Sequence, residues 1–162
     1  LFVFLFFGVI AVMGTYYVQA TAVLAAPLST AIPPDTVTWL AFLASLPVAA
    51  LSTNILVVNN IRDREEDATT GKRTLAVRFG YRFSRLQFAG LAGLAYAVPV
   101  WLWLAEGFGL SVLLPLVTLP IAAVLTRTIW TKTSGAALNP ALETTGKLLA
   151  VHALLFGIGL AV

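Results

Sequence analysis

Of 162 residues, 59% are hydrophobic and only 10% are charged, and the mean hydropathy is +0.93. Soluble domains carry roughly 25% charged residues, so a water-soluble fold is excluded and the chain reads as an integral membrane protein, an all-α bundle of spanning helices. The absence of cysteine excludes disulfides, thiolate metal sites and cysteine nucleophiles. The net charge of +3 points to membrane orientation or a phosphate-bearing ligand rather than to nucleic acid.

Leu1 to about Leu24 reads as the first span, since about 20 apolar residues cross the hydrocarbon core. The first charge is Asp35, and 34 uncharged residues are far more than a signal peptide's apolar region needs. With no initiator Met and no basic N-terminal region, the chain is expected to be a fragment that lacks its N-terminal part. Gly14-Thr15-Tyr16-Tyr17-Val18-Gln19 is a polar, aromatic patch near the far end of this span, either an interfacial belt or part of a ligand cavity. Pro27, Pro33 and Pro34 make Ala26 to Asp35 a loop.

Thr36 is a candidate cap for a second helix from about Val37 to Asn60, with Pro47 as a candidate kink. Ser45, Ser52, Asn59, Asp63 and Asp67 are spaced 7, 7, 4 and 4. On a helix they fall within roughly an 80° stripe. A polar stripe on a membrane helix should face protein or water rather than lipid.

Thr69-Thr70-Gly71 ends the helical pattern, with Gly71 as C-cap. Lys72 to Arg85 reads as a basic connector. Leu86 to Ala105 is the third span, closing near the interfacial Trp101 and Trp103, with Glu106 in a solvated turn. Leu110 to about Thr126 is the fourth, with Pro115 and Pro120 as candidate kinks. Arg127 to Pro140 is polar, and Ala141 to Val162 is the fifth, carrying Glu143, Lys147 and the single histidine, His152, which reads as packed rather than catalytic. Trp130 reads as another interface anchor. No soluble domain, linker or repeat is visible, so residues 1–162 form one domain. The basic loops at Arg62–Arg85 and Arg127–Lys147 alternate with loops at Asp35 and Glu106 that hold no basic residue. Five spans satisfy the positive-inside rule with the central loop in the cytoplasm.

Seven of the ten basic and four of the seven acidic residues lie between Arg62 and Arg85. Asn59, Asp63 and Asp67 stack at i, i+4 and i+8, and carboxylates so spaced repel unless a cation sits between them. Oxygen donors with no Cys or His nearby point to Mg²⁺ or a similar hard ion. Arg62, Lys72, Arg73 and Arg78 are candidate phosphate contacts. Carboxylates and cations together at a membrane surface suit a diphosphate with a lipid tail. An ordinary topogenic loop, its charges solvated and self-paired, is the alternative that these residues leave open.

Asn59-Asn60-Ile61-Arg62-Asp63, then Asp67, then Gly71-Lys72-Arg73-Thr74-Leu75-Ala76-Val77-Arg78 and Gly80 resemble the second aspartate-rich motif of the UbiA superfamily of intramembrane prenyltransferases. Gly14-Thr15-Tyr16-Tyr17 and Leu138-Asn139-Pro140 resemble its branch acting on 1,4-dihydroxy-2-naphthoate in menaquinone biosynthesis. The resemblance implies a nine-helix fold around a cavity, of which these five spans are the last five, in the cell's inner membrane. A first Asp-rich motif, on an earlier helix, is absent, so the fragment alone should be inactive. It further implies that Asp63, Asp67 and Asn59 bind Mg²⁺, and that Arg62, Lys72 and Arg73 grip a polyprenyl diphosphate. Tyr16 and Tyr17 are implied partners of an allylic cation. The implied reaction is polyprenyl transfer to the naphthoate with loss of CO₂. Other readings are a related transferase using another acceptor and a non-enzymatic transporter subunit. A CDP-alcohol transferase would need a D-G-x-x-A-R pattern that this segment lacks.

Overall fold

The computed structural model describes residues 1–23, 36–133 and 135–162. The proline-bearing loop at Ala26–Asp35 and the end of the first span at Leu24 lie outside the described residues. Within them the chain forms α1 (Phe4–Val23), α2 (Trp39–Arg62), α3 (Arg64–Thr69), α4 (Leu75–Ala105), α5 (Leu110–Thr131) and α6 (Gly135–Ala161). All but α3 are long and apolar enough to cross a membrane, which matches the five spans expected from hydropathy.

α2 is the hub, packing against α1, α4 and α6, while α5 closes against α4 and α6. Lipid is as apolar as leucine, so helices in a bilayer associate through close contact rather than the hydrophobic effect. The interfaces show this. α1 opens with a wide π-helical stretch, Phe4–Ile10, and a methyl group on its Gly8 would collide with Ala49 of α2. Around α2 the core is filled by Leu51, Val58, Ile61, Phe88, Ile129 and Leu138. A smaller cluster of Val98, Leu102, Val112 and Phe156 closes the opposite end.

Several boundaries differ from those the sequence predicts. Thr38, not Thr36, caps α2 by accepting a hydrogen bond from the Ala41 amide. The basic stretch Lys72–Arg85 is not a connector: α4 begins at Leu75, capped by Thr74, which accepts from the Val77 amide. Charge keeps a segment out of hydrocarbon but does not stop it being helical. Within α4, Gly80 has φ 80° and ψ 178°, a conformation essentially reserved for glycine, and the helix kinks there. The polar stretch at Arg127–Pro140 is also mostly helical, with α5 running to Thr131 and α6 starting at Gly135. α5 opens as a tight 3₁₀ segment, Leu110–Thr118, containing Pro115. It widens to α-helix at Leu119, where Pro120 sits in the first turn that tolerates it.

Two contacts bring the charged segments to one end of the bundle. Arg62 reaches Asn139 at the start of α6, and Arg85 donates to the Ile129 and Lys132 carbonyls at the end of α5. The other end gathers Thr38, Phe108 and Gly157. The turn residue Glu106, exposed just beyond α4, follows from there.

Candidate functional site at the charged end

The spacing of Asn59, Asp63 and Asp67 predicts one uninterrupted helix, but α2 ends at Arg62. Asp63 adopts φ −95° and ψ 5°, and α3 restarts at Arg64. The i to i+4 backbone bonds survive the join: the Asp63 amide donates to the Asn59 carbonyl at 2.9 Å, and the Asp67 amide to the Asp63 carbonyl at 2.8 Å. The ladder therefore persists across a hinge. α3 then stops at the predicted glycine. Gly71 has φ 76°, and the Lys72 amide donates back to the Asp67 carbonyl at 3.0 Å, a Schellman-type closure.

That turn folds Lys72 over its own helix. Lys72 Nζ lies 2.8 Å from Asp67 Oδ1, joining an exposed lysine to a carboxylate whose residue is only 4% exposed. On the other side of the hinge Arg62 grips Asp63 with two parallel bonds, Nε to Oδ1 at 2.6 Å and Nη2 to Oδ2 at 2.8 Å. Nη2 also donates to Asn59 Oδ1 at 2.8 Å, and Nη1 to Asn139 Oδ1 at 3.4 Å. The guanidinium beside Asp63 holds its carboxyl below the usual carboxylate range, against the opposing pull of partial burial. The bond from Asp67 raises the Lys72 ammonium above the ordinary lysine value.

Asn59 also touches apolar space. A cavity of about 470 Å³ lies between α1, α2 and α6, lined by Val3, Phe7, Ser52, Ile55, Leu56, Asn59, Leu142 and Leu149. Ser52 and Asn59, two members of the predicted stripe, thus face one groove. Ser45 is buried elsewhere and bonds the Phe42 carbonyl of its own helix. Ser45 is thus turned into the protein, its hydroxyl satisfied by its own helix backbone.

Arg73 is exposed and makes no ion pair or side-chain hydrogen bond among the described residues. Tyr16 and Tyr17 are not brought to the cluster. Tyr16 lines a cavity with Ala41 and Ala44, roughly 22 to 27 Å along α2 from Asn59 at 1.5 Å per residue. α1 runs antiparallel to α2, so its far end is the opposite end of the bundle.

A second network has no signature in residue spacing. Arg64 donates to the Ala76 carbonyl at 3.0 Å and to Glu65 Oε1 at 2.9 Å, and the Tyr81 hydroxyl donates to that same oxygen at 3.0 Å. The Arg64 guanidinium lies 4.6 Å from the Tyr81 ring centre, with Arg85 on the same ring at 5.6 Å. These contacts clip α3 to the start of α4. A tyrosine among arginines was the available signal, but its partner 16 residues away is set by the Gly71 turn and the Gly80 kink.

Residues 1–150 match the UbiA prenyltransferase family. The chain belongs to that family. A 1,4-dihydroxy-2-naphthoate octaprenyltransferase of Mycobacterium tuberculosis is 34% identical over 94% of this chain and 46% of its own length. One from Escherichia coli is 33% identical over 98% of this chain and 47% of its own length. The human UbiA prenyltransferase domain-containing protein 1 is 37% identical over 78% of this chain and 33% of its own length. The chain spans about half or less of the length of the curated relatives it matches.

For a UbiA family chain the donor set at the hinge is one a hard divalent ion accepts. Asp63, Asp67 and Asn59 offer only oxygens, and Mg²⁺ commonly takes one or two carboxylates plus substrate phosphates. Among the described residues no three acidic or histidine side chains are grouped so as to hold a metal ion. The same oxygens are taken up by Arg62 and Lys72.

Proposed function

We propose that the whole protein transfers a polyprenyl group from polyprenyl diphosphate to 1,4-dihydroxy-2-naphthoate, this chain supplying one half of the diphosphate site. The observation that carries the reading is a hinge of paired carboxylates and cations, Asn59–Lys72, at the mouth of an apolar groove. The groove residues Phe7, Ile55, Leu56 and Leu149 suit the prenyl tail. Arg62, Lys72 and Arg73 are within the segment that faces the diphosphate, where a guanidinium fork and an ammonium offer complementary phosphate contacts.

Asp63, Asp67 and Asn59 would hold Mg²⁺, which when bound neutralises charge on the departing diphosphate. The allylic C–O bond breaks with its electron pair leaving on the diphosphate. The ring carbon bearing the carboxylate forms the new C–C bond, and that carboxylate departs as CO₂, its electron pair restoring the aromatic ring. The product is a demethylmenaquinone in its quinol form, with no external oxidant. The apolar walls exclude water from the cation. Tyr16 and Tyr17, at the far end of α1, are too distant to face the leaving group and are given no part in this step. By the positive-inside rule the hinge faces the cytoplasm from the inner membrane.

The test is turnover by the full-length protein with and without Mg²⁺, for wild type, Asp63→Asn and Asp67→Asn. Near-wild-type activity in both variants at matched expression removes these residues from the site. Preference for an acceptor such as 4-hydroxybenzoate over the naphthoate displaces the assigned ring. Retention of polyprenyl diphosphate regardless of Mg²⁺, without turnover, favours a transporter.

A further inference from the structure

α4 is longer than a membrane requires. Its 31 residues extend about 46 Å at 1.5 Å per residue, against a hydrocarbon core of about 30 Å. The excess is at the charged end, where α4 starts. There the glycine-only backbone at Gly80 kinks the helix, separating the Leu75–Phe79 turn from the span that follows.

The outward surface of this excess has a particular make-up. Phe79 and Phe83 are exposed, 56% and 40%, and their rings pack together at 5.0 Å. Leu75 and Leu86 are exposed beside them in sequence. Interleaved with these are Arg78 and Arg82, both exposed. The Arg78 guanidinium rests 5.6 Å from the Phe79 ring. Neither arginine has an acidic partner among the described residues, although four carboxylates lie within twenty residues of them. Glu65 and Asp67 are bound to Arg64 and Lys72, Asp63 to Arg62. Two guanidinium groups without an acidic partner among the described residues, one of them resting on an exposed aromatic pair, match an anionic lipid surface: rings at the acyl boundary, charges among the phosphates.

We propose that the Leu75–Leu86 face of α4 is a binding surface for anionic phospholipid headgroups, with Arg78 and Arg82 as the phosphate contacts and Phe79 and Phe83 as the acyl contacts. The surface lies on a different part of the chain from the Asp63–Asp67 hinge and does not depend on the prenyltransferase reading. Paired charges at the hinge leave these two arginines as the uncompensated positive charge on α4's outer side. The lipid is thereby assigned a fixed place against the segment that Tyr81 clips to α3.

Full-length protein in detergent, without substrate or Mg²⁺, would be offered phosphatidylglycerol or phosphatidylcholine, and retained lipid counted by native mass spectrometry. Wild type is expected to favour phosphatidylglycerol. Each removed arginine should cut that preference about five-fold, and Arg78→Gln with Arg82→Gln roughly 25-fold. Arg78→Lys with Arg82→Lys should keep most of it, and raised salt should erode it in wild type even if the glutamine variant fails to fold. Phe79→Ala with Phe83→Ala should weaken retention of both lipids. No headgroup preference in wild type, or an unchanged preference in the glutamine variant, overturns the proposal. So does equal competition by inorganic phosphate, which would mark a free-phosphate site.

Discussion

Two polar clusters sit in this bundle, and they are built in opposite ways. At the charged end, Arg62–Asp63 and Asp67–Lys72 pair residues one and five positions apart, and the cluster takes shape at a hinge and a glycine turn. Inside the bundle, Tyr96 of α4, Thr118 of α5 and His152 of α6 meet from three helices: Tyr96 and Thr118 share a 2.7 Å hydrogen bond and His152 packs edge-on to Tyr96 at 5.1 Å. Asn54 of α2 adds a 3.1 Å bond to the Phe88 carbonyl of α4. The first cluster is charged, half-exposed and local. The second is neutral, buried and long-range. Under the proposed function the first must exchange partners with a ligand, whereas the second holds helices together.

The largest break in that comparison should come at the charged end. Asp63→Asn or Asp67→Asn in the full-length protein should lower Mg²⁺-dependent turnover by about 100-fold or more, the scale typical for losing a group aimed at developing charge. For Asp63→Asn the melting temperature in detergent should move little, because that side chain is partly exposed at the bundle's rim. A large loss of stability with turnover per folded molecule unchanged would assign these aspartates to the fold instead.

The buried cluster should respond the other way. His152 is wholly enclosed, and neither ring nitrogen has a hydrogen-bond partner among the described residues. His152→Ala empties a large side chain from a packed core and should cost about 3 kcal/mol. His152→Leu fills most of the volume and discards the unmatched nitrogens, so it should cost far less. Equal loss of turnover in both, with the leucine variant as stable as wild type, would give His152 a chemical role. Tyr96→Phe removes one buried hydrogen bond, worth about 1 kcal/mol, and leaves Thr118 bonded to the Pro115 carbonyl.

The same contrast explains what could be read from the chain beforehand. Five spans follow from apolar length, and the Asn59, Asp63, Asp67 ladder from i, i+4 spacing. Gly71 as the stop follows from the left-handed backbone a helix end needs. All of these are local. The break at Asp63 was hidden because its i to i+4 bonds persist through it. The helical start of α4 is not visible in composition, because a run of charged residues can be helix or loop alike. The Tyr96–Thr118–His152 seam and the Glu65–Tyr81 clip need the register of one helix against another, which no spacing within a helix reveals. Tyr16 and Tyr17 show the reverse error: placed near the site by resemblance, they lie at the other end once α1 is set antiparallel to α2.

Protonation sharpens the charged end further. Asp63 has its carboxyl lowered chiefly by the Arg62 hydrogen bond, so its contribution is present above the ordinary carboxylate pKa and is lost only as pH falls through the lowered value. Lys72 is raised chiefly by the Asp67 hydrogen bond, so its contribution is present below the ordinary lysine pKa and is lost only as pH rises through the higher value. Neither Asp63 nor Lys72 should therefore titrate across the neutral range in the unliganded protein. Carboxyl chemical shifts of Asp63 that move near neutrality would mean that Arg62 is not its resting partner.

The smallest effect comes from a pair that looks equivalent on distance alone. Lys147 Nζ lies 2.6 Å from Glu143 Oε1, one helical turn away, much as Lys72 lies 2.8 Å from Asp67. Both lysines are well exposed, but the Glu143 side chain is 68% exposed where that of Asp67 is 6%. Water and salt screen the first pair on both sides, and exposed pairs of this kind often contribute nothing measurable. Lys147→Gln should leave the melting curve where it was at moderate salt, while Lys72→Gln leaves a buried carboxylate without its cation. If the two substitutions behave alike, burial of Asp67 is not what distinguishes the hinge, and the cation beside it is only a surface neighbour.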